Sequence, residues 1–328
     1  MMDKILNALV AIIAGVGGML VFYWVLNALV ERLSQGWERR IKPYVFVGPA
    51  VAIVGLFLVY PAVQTILYSF ADQTSTAYIG FDNYREIFTD DAFLEALWNN
   101  VLWIVFVPTF AVGIGLVIAV LADRLKARGE QVAKSVIFMP MAISFVGAST
   151  IWRFMYDSKF AQGQEQIGLL SAITTGLGFE PQRWLGLEGF SVNDFLLMAI
   201  MIWLQAGFAM VLLSAAIKNV PEETMEAGRI DGASELQIFF RVIVPQIWPT
   251  VIVVFTTILI LVMKVFDVVN VMTNGADGTE VVANRFYNLL FTDRENGLAA
   301  AVVVVLMVAV IPVMIYQVRQ FRAQEAGR

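Results

Sequence analysis

The 328-residue chain contains no cysteine and no histidine. The first absence excludes disulfides and thiolate metal sites. The second excludes imidazole ligands, Ser-His and Cys-His nucleophiles and histidine-based pH switching. Charge is scarce as well: Asp, Glu, Lys and Arg make up 15% of the residues, 59% are hydrophobic, and the mean hydropathy is +0.73. Soluble domains of this length seldom exceed roughly half apolar content, so the composition is that of a polytopic membrane protein. No G-x-x-x-x-G-K-[ST] occurs anywhere, so the polypeptide lacks the usual phosphate-cradling loop. Nor do two carboxylates stand three or four residues apart inside any apolar run, which leaves intramembrane hydrolysis few tools.

What is abundant is long apolar sequence. A membrane-crossing helix needs about 20 such residues. Seven stretches qualify, at about 5–30, 44–70, 97–122, 135–156, 193–217, 248–271 and 298–317. The segments 31–43, 123–134, 218–247 and the tail after 317 carry 14 of the 22 Lys and Arg residues, against 6 in the segments facing the other way. The positive-inside rule assigns the basic side to the cytosol, with the amino terminus outside and the carboxyl terminus inside. The first run is longer than a secretory h-region, Asp3 offsets Lys4, and no small-x-small site precedes the basic cluster, so it reads as a retained helix. Its glycines, Gly15, Gly17 and Gly18, permit close helix packing. Pro49, Pro61, Pro108, Pro140 and Pro312 lie in or near the spans, where proline kinks a helix and frees carbonyls. The outer connectors are aromatic and acidic, as in "YIGFDNYREIFTDDAFLEALW", and read as short interfacial helices, a solvated loop, or a rim for an external partner.

The cytosolic connector 218–247 is different. Pro221 can open a short helix, "PEETMEAGRI"; Asp231-Gly232 breaks it; Ser234 and Gln237 form a capping box for a second helix, "ELQIFFRVIV", that ends at Pro245. Leu236, Phe239, Phe240 and Ile243 give the second helix an apolar stripe to pack on the bundle or on a partner. Glu222, Glu223, Glu226 and Arg229 give the first a polar surface for charge-assisted bonds to another protein.

"EAGRIDGA" followed by "VIVP" resembles the EAA loop of permease subunits in binding-protein-dependent ABC importers. The resemblance extends over about 280 residues, through "YVFVGPAVAIVGLFLVYP", "NNVLWIVFVP", "IFMPMAISFVGASTIWRFMY", "MIWLQAGFAMVLLSAAIKNVPEE" and "FDVVNVMTNGADGTE". It is nearest the maltose-importer branch and its α-glucoside permeases. Two positions depart from the pattern: Gly228 stands third in the Glu-Ala-Ala core, and "NGADG" replaces a Gly-Gly-Pro turn.

The resemblance implies an all-α membrane bundle of about seven spans. Residues 1–43 would be an additional helix and linker, and 44–328 the six-span permease domain with coupling loop 218–247. That loop would dock into a cytosolic ATPase through Glu226, Ala227, Gly228, Asp231, Gly232 and Ala233, with Pro245 returning the chain to the membrane. The implied assembly sits in the bacterial cytoplasmic membrane. It comprises this chain, a second and distinct permease, two ATPase subunits that hold ATP and Mg, and an extracytoplasmic sugar-binding protein. Its partners include the lipid bilayer and no nucleic acid, and this chain itself is non-catalytic and holds no cofactor.

By the same resemblance the substrate path runs past Met141, Ser144 and Phe145, then Trp203 and Gln205, then Thr257, Lys264 and Asp267. Each of these is also a residue type that simply packs membrane cores. Lys264 and Asp267 stand three apart in one apparent span, as a structural ion pair, a path lining, or the ion site of a secondary transporter or channel.

Overall fold

A computed structural model describes residues 2–160, 165–187 and 191–326. The described residues fall into two compact units, Met1–Leu67 and Tyr68–Arg328. They contain six helices long and apolar enough to cross a membrane, or seven if one sharply bent pair counts as a span. No strand occurs among them, only an isolated bridge between Ala71 and Tyr78.

In the first unit, helix Met2–Val30 is followed after a four-residue break by a helix that runs from Gln35 to Tyr68. The expected linker 31–43 is therefore mostly helical, because Glu, Arg and Lys in "QGWERRIK" are good helix formers. Pro61 has no N–H to give. The preceding turn, Gly55–Val59, widens to a π-turn in which Tyr60 N–H bonds the Gly55 carbonyl, so the helix passes the proline unbroken. The Tyr23 ring stacks on Phe46 at 5.9 Å.

The second unit is built around helices Asp91–Asp123 and Val192–Lys218. Trp103, Val107, Ala111 and Ala119 repeat every four residues, or multiples of four, and are fully buried. Gly115 completes this face: a Cβ there would lie 2.6 Å from the Ala209 Cβ. Lipid is as apolar as these side chains, so the hydrophobic effect does not hold the pair; close backbone approach and dispersion do. Gly207 works the same way on the opposite face, where a Cβ would come within 2.4 Å of the Ile137 carbonyl oxygen. Helix Glu235–Met263 adds Val254, Ile258 and Val262 to the core, again at four-residue spacing.

Polar side chains close both ends of the bundle. At one end Asn99 donates to the carbonyls of Gly278 and Glu280 at 2.7 and 2.9 Å, Asn100 accepts from Val282 N–H at 2.8 Å, and Asn193 donates to the Asp277 carbonyl. The loop they hold has four residues at positive φ, Asn274, Gly275, Asp277 and Gly278, which is why it is rich in Gly, Asn and Asp. At the other end Lys134 bonds Asp123 at 2.9 Å, Glu130 and Ser214, while Lys218 pairs with Glu130.

Two expected spans are interrupted. The stretch 135–156 is a bent pair, Ala127–Ala142 and Phe145–Met155, turning by 103°. Pro140 sits in a 3₁₀ turn, Ile143 and Ser144 are extended, and Ser144 caps the next helix by accepting from Gly147 N–H at 3.1 Å. The stretch 248–271 stops at Met263 and restarts as Asp267–Met272. Helix Asp267–Met272 packs against Phe145–Met155, so the two breaks lie together.

Candidate functional site

The breaks line a cavity of about 490 Å³, within the roughly 300–1,000 Å³ range of ligand pockets. Irregular backbone at membrane depth is tolerated where it faces a cavity or protein rather than lipid, and this one faces a cavity. Met141, Ser144 and Phe145 contribute from the first break, Gln205 from the central helix, Thr257 from helix Glu235–Met263, and Asp267 from the second break. Gln205 is only 5% exposed, and its amide has no hydrogen-bond partner among the described residues. Thr257 spends its hydroxyl on the Val253 carbonyl at 2.8 Å. The lining is thus apolar with a carboxylate and an amide converging on it, a surface suited to a polyhydroxylated ligand.

Trp203 and Lys264 are not among the residues that line this cavity. Trp203 packs edge-on against Trp152, with ring centroids 5.8 Å apart. Lys264 is exposed at the helix end, while Asp267 opens the following helix. The apparent three-residue spacing therefore does not put them on one helical face, and no ion pair joins them among the described residues. Sequence reasoning passed over Phe208 and Leu261, which also line the cavity. Three- and four-residue steps from Gln205 and Thr257 would have found both.

The connector between the two membrane helices folds as two short elements. Helix Glu222–Ile230 ends in a Schellman motif: Ala233 N–H bonds the Gly228 carbonyl and Gly232 N–H bonds the Arg229 carbonyl, both at 3.0 Å, with Gly232 at φ +80°. Ser234 and Gln237 make the capping box in both directions. Pro245 does not end the second helix. The turn Phe239–Ile243 is a π-turn, and the helix continues through the proline to Met263.

The buried face of the second helix differs from the stripe its spacing implies. Ile238 is buried against Gly228, whose Cβ would lie 3.3 Å from the Ile238 side chain, while Leu236 and Phe240 are exposed. Gly228 is small for an internal reason, to admit Ile238 beneath the first helix. Arg229 is spent internally too, pairing with Glu235 at 2.8 Å, a bond that holds its guanidinium above the usual pKa. Glu222, Glu223, Glu226 and Ala227 are exposed, as are Ile230 at 86% and Leu236 at 71%.

A family model described as binding-protein-dependent transport system inner membrane component matches residues 101–323. An alpha-glucoside transport system permease protein of Rhizobium meliloti is 43% identical over 99% of this chain and 100% of its own length. An osmoprotective compounds uptake permease protein of Synechocystis is 50% identical over 86% of this chain and 100% of its own. The crystal structure of a bacterial ABC transporter involved in the import of alginate is similar in fold. Its TM-score is 0.74 at 19% identity, and the match covers 88% of this chain and 99% of that one.

Proposed function

The chain belongs to the family of binding-protein-dependent transport system inner membrane components, and on that premise we propose that it is the sugar-conducting permease subunit of an ATP-driven importer. Its cargo is a small α-glucoside, a class that takes in glucosylated osmolytes. The relatives named for alpha-glucoside transport and for osmoprotective compounds uptake support that cargo. The observation that carries the proposal is the folded loop between membrane helices, whose first helix exposes Glu222, Glu223 and Glu226 and which leaves Ile230 and Leu236 bare. Such a surface is costly to leave bare and fits a protein partner with a basic-rimmed apolar cleft.

The partner is a cytosolic ATPase, present in two copies, which binds ATP and Mg; this chain supplies no catalytic group. A second, distinct permease closes the open side of the cavity, and an extracytoplasmic binding protein delivers the sugar. Transport proceeds by alternating access. Closure of the ATPases moves helix Glu222–Ile230, and the two span breaks beside the cavity are where the bundle can rearrange without breaking a continuous helix. The amino terminus lies outside and the carboxyl terminus in the cytosol, following the distribution of Lys and Arg.

The test is sugar-stimulated ATP hydrolysis by the chain purified with its co-expressed partners, native and as the Glu226→Lys, Gly232→Pro double variant. Proline cannot adopt φ +80°, and lysine reverses the charge offered to the cleft. Stimulation should vanish in the variant while the chain stays folded in the membrane. Failure of any ATPase to co-purify, together with undiminished uptake by the variant, would overturn the proposal in favour of a stand-alone transporter.

A further inference from the structure

A second cavity, of about 400 Å³, lies at the far ends of the same two short helices that border the first. Phe145 and Asp267, at their starts, line the inner cavity; Arg153 and Met272, at their ends, line this one. From Phe145 to Arg153 the rise is about 12 Å. The connectors that complete the outer cavity are those assigned to the extracytoplasmic side. One helix pair therefore carries a mainly apolar cavity at one end and a strongly polar one at the other.

The outer cavity has fixed walls and free charges. Trp184 Nε1 donates to Ser171 Oγ at 2.9 Å, and that hydroxyl donates to the Asp157 carbonyl at 2.9 Å. Tyr156 donates to the Leu196 carbonyl at 2.7 Å, and Arg153 to the Val271 carbonyl. By contrast, the side chains of Arg183, Asp157 and Asp277 have no ion-pair or hydrogen-bond partner among the described residues. Among the described lining residues, the two guanidinium groups of Arg153 and Arg183 and the two carboxylates of Asp157 and Asp277 balance to no net charge. That balance disfavours an ionic ligand and matches a neutral one with many hydroxyls, which both groups can bond in charge-assisted fashion beside aromatic faces.

We propose that this cavity is an entry station for a neutral saccharide, occupied before the sugar passes along the helix pair to the inner cavity. The inference rests on the importer reading and adds a second binding site to it. Arg183 and Asp277 hold the hydroxyls and Trp184 supplies the apolar face.

The experiment uses the assembled transporter in lipid discs, with maltose, trehalose and sucrose as probes. Saturation-transfer NMR reports sugar contact in the absence of binding protein, and uptake in its presence gives the half-saturating concentration. Arg183→Gln with Asp277→Asn should weaken the contact signal and raise half-saturation by about tenfold, as two charge-assisted bonds become neutral ones. Asn suits the positive φ of Asp277, and Asp157→Asn alone tests the same station if the pair fails to assemble.

Unchanged contact and half-saturation in a variant of a transporter that moves a probe sugar would overturn the station and leave the importer reading standing. Loss of binding-protein stimulation with the contact signal intact would make the cavity a protein contact and also overturn it. A native complex that moves no glucoside would sink both.

Discussion

Gly207 and Glu280 illustrate how single residues act in this bundle. A Cβ at Gly207 would strike the Ile137 carbonyl oxygen at 2.4 Å, and backbone cannot yield as a side chain can. Gly207→Val should cost about 1–3 kcal/mol of stability by overpacking, read as a lowered thermal midpoint in detergent. An unchanged midpoint would mean that the helices separate freely there. Glu280 lies outside the spans, and its burial pushes the carboxyl above its ordinary pKa, although Asn284 Nδ2 at 2.7 Å and Val281 N–H at 3.1 Å bond it.

A raised acid binds its proton more readily in the folded state. Its contribution to stability is therefore present at low pH and declines as pH rises from about 4.5 through the raised value. Glu280→Gln keeps an acceptor oxygen and removes the buried charge. The variant should have a higher midpoint at neutral pH and a smaller loss between pH 4 and 7 in a fluorescence melt, and a lower midpoint with the same pH slope would refute this.

Among the elements, the connector 218–247 was the most legible, because each of its signals acts within a few residues. Ser234 and Gln237 are three apart, Asp231 and Gly232 adjoin, and the structure has both the capping box and the left-handed turn. Ser234→Ala should cost the second helix about 1 kcal/mol and reduce sugar-stimulated ATP hydrolysis without preventing assembly. Full stimulation would show that the partner holds the helix regardless of its cap. The interruption at 264–266 was not legible. "LVMKVFDVVN" contains neither Gly nor Pro, and its two charges, Lys264 and Asp267, stand at helical spacing. At the break Val265, Val268 and Val269 are all buried in the main core, and helix Asp267–Met272 packs on helix Phe145–Met155. The apolar stripe on the connector's second helix misled for a related reason, since contact with Gly228 of the first helix buries Ile238 and leaves Leu236 and Phe240 exposed.

Across the second unit, the charged group near Lys134 ties three helices together. Lys134 contacts Asp123, Glu130 and Ser214 with its side chain 18% exposed, whereas Lys218 reaches the same acids from a position 52% exposed. Lys134→Met should therefore lower the thermal midpoint more than Lys218→Met, because it leaves two poorly solvated carboxylates facing each other. Equal effects would assign the group no role beyond surface charge. The sequence by itself determined the membrane class, the apolar runs and the folded connector 218–247. Composition and short-range spacing carry those properties, since they depend on solvent and on neighbours one or two turns away. Met141, Ser144, Phe145, Gln205, Thr257 and Asp267 were named through the resemblance to importer permeases, and the structure brings all six to the inner cavity. Only the tertiary structure decided that Lys264 and Asp267 part company, that Trp203 packs on Trp152 outside the lining of the inner cavity, and that two broken spans share one helix pair with a cavity at each end. Those facts depend on contacts between residues far apart in the chain, such as Asn99 with Gly278 and Asn193 with Asp277, and no local pattern encodes them.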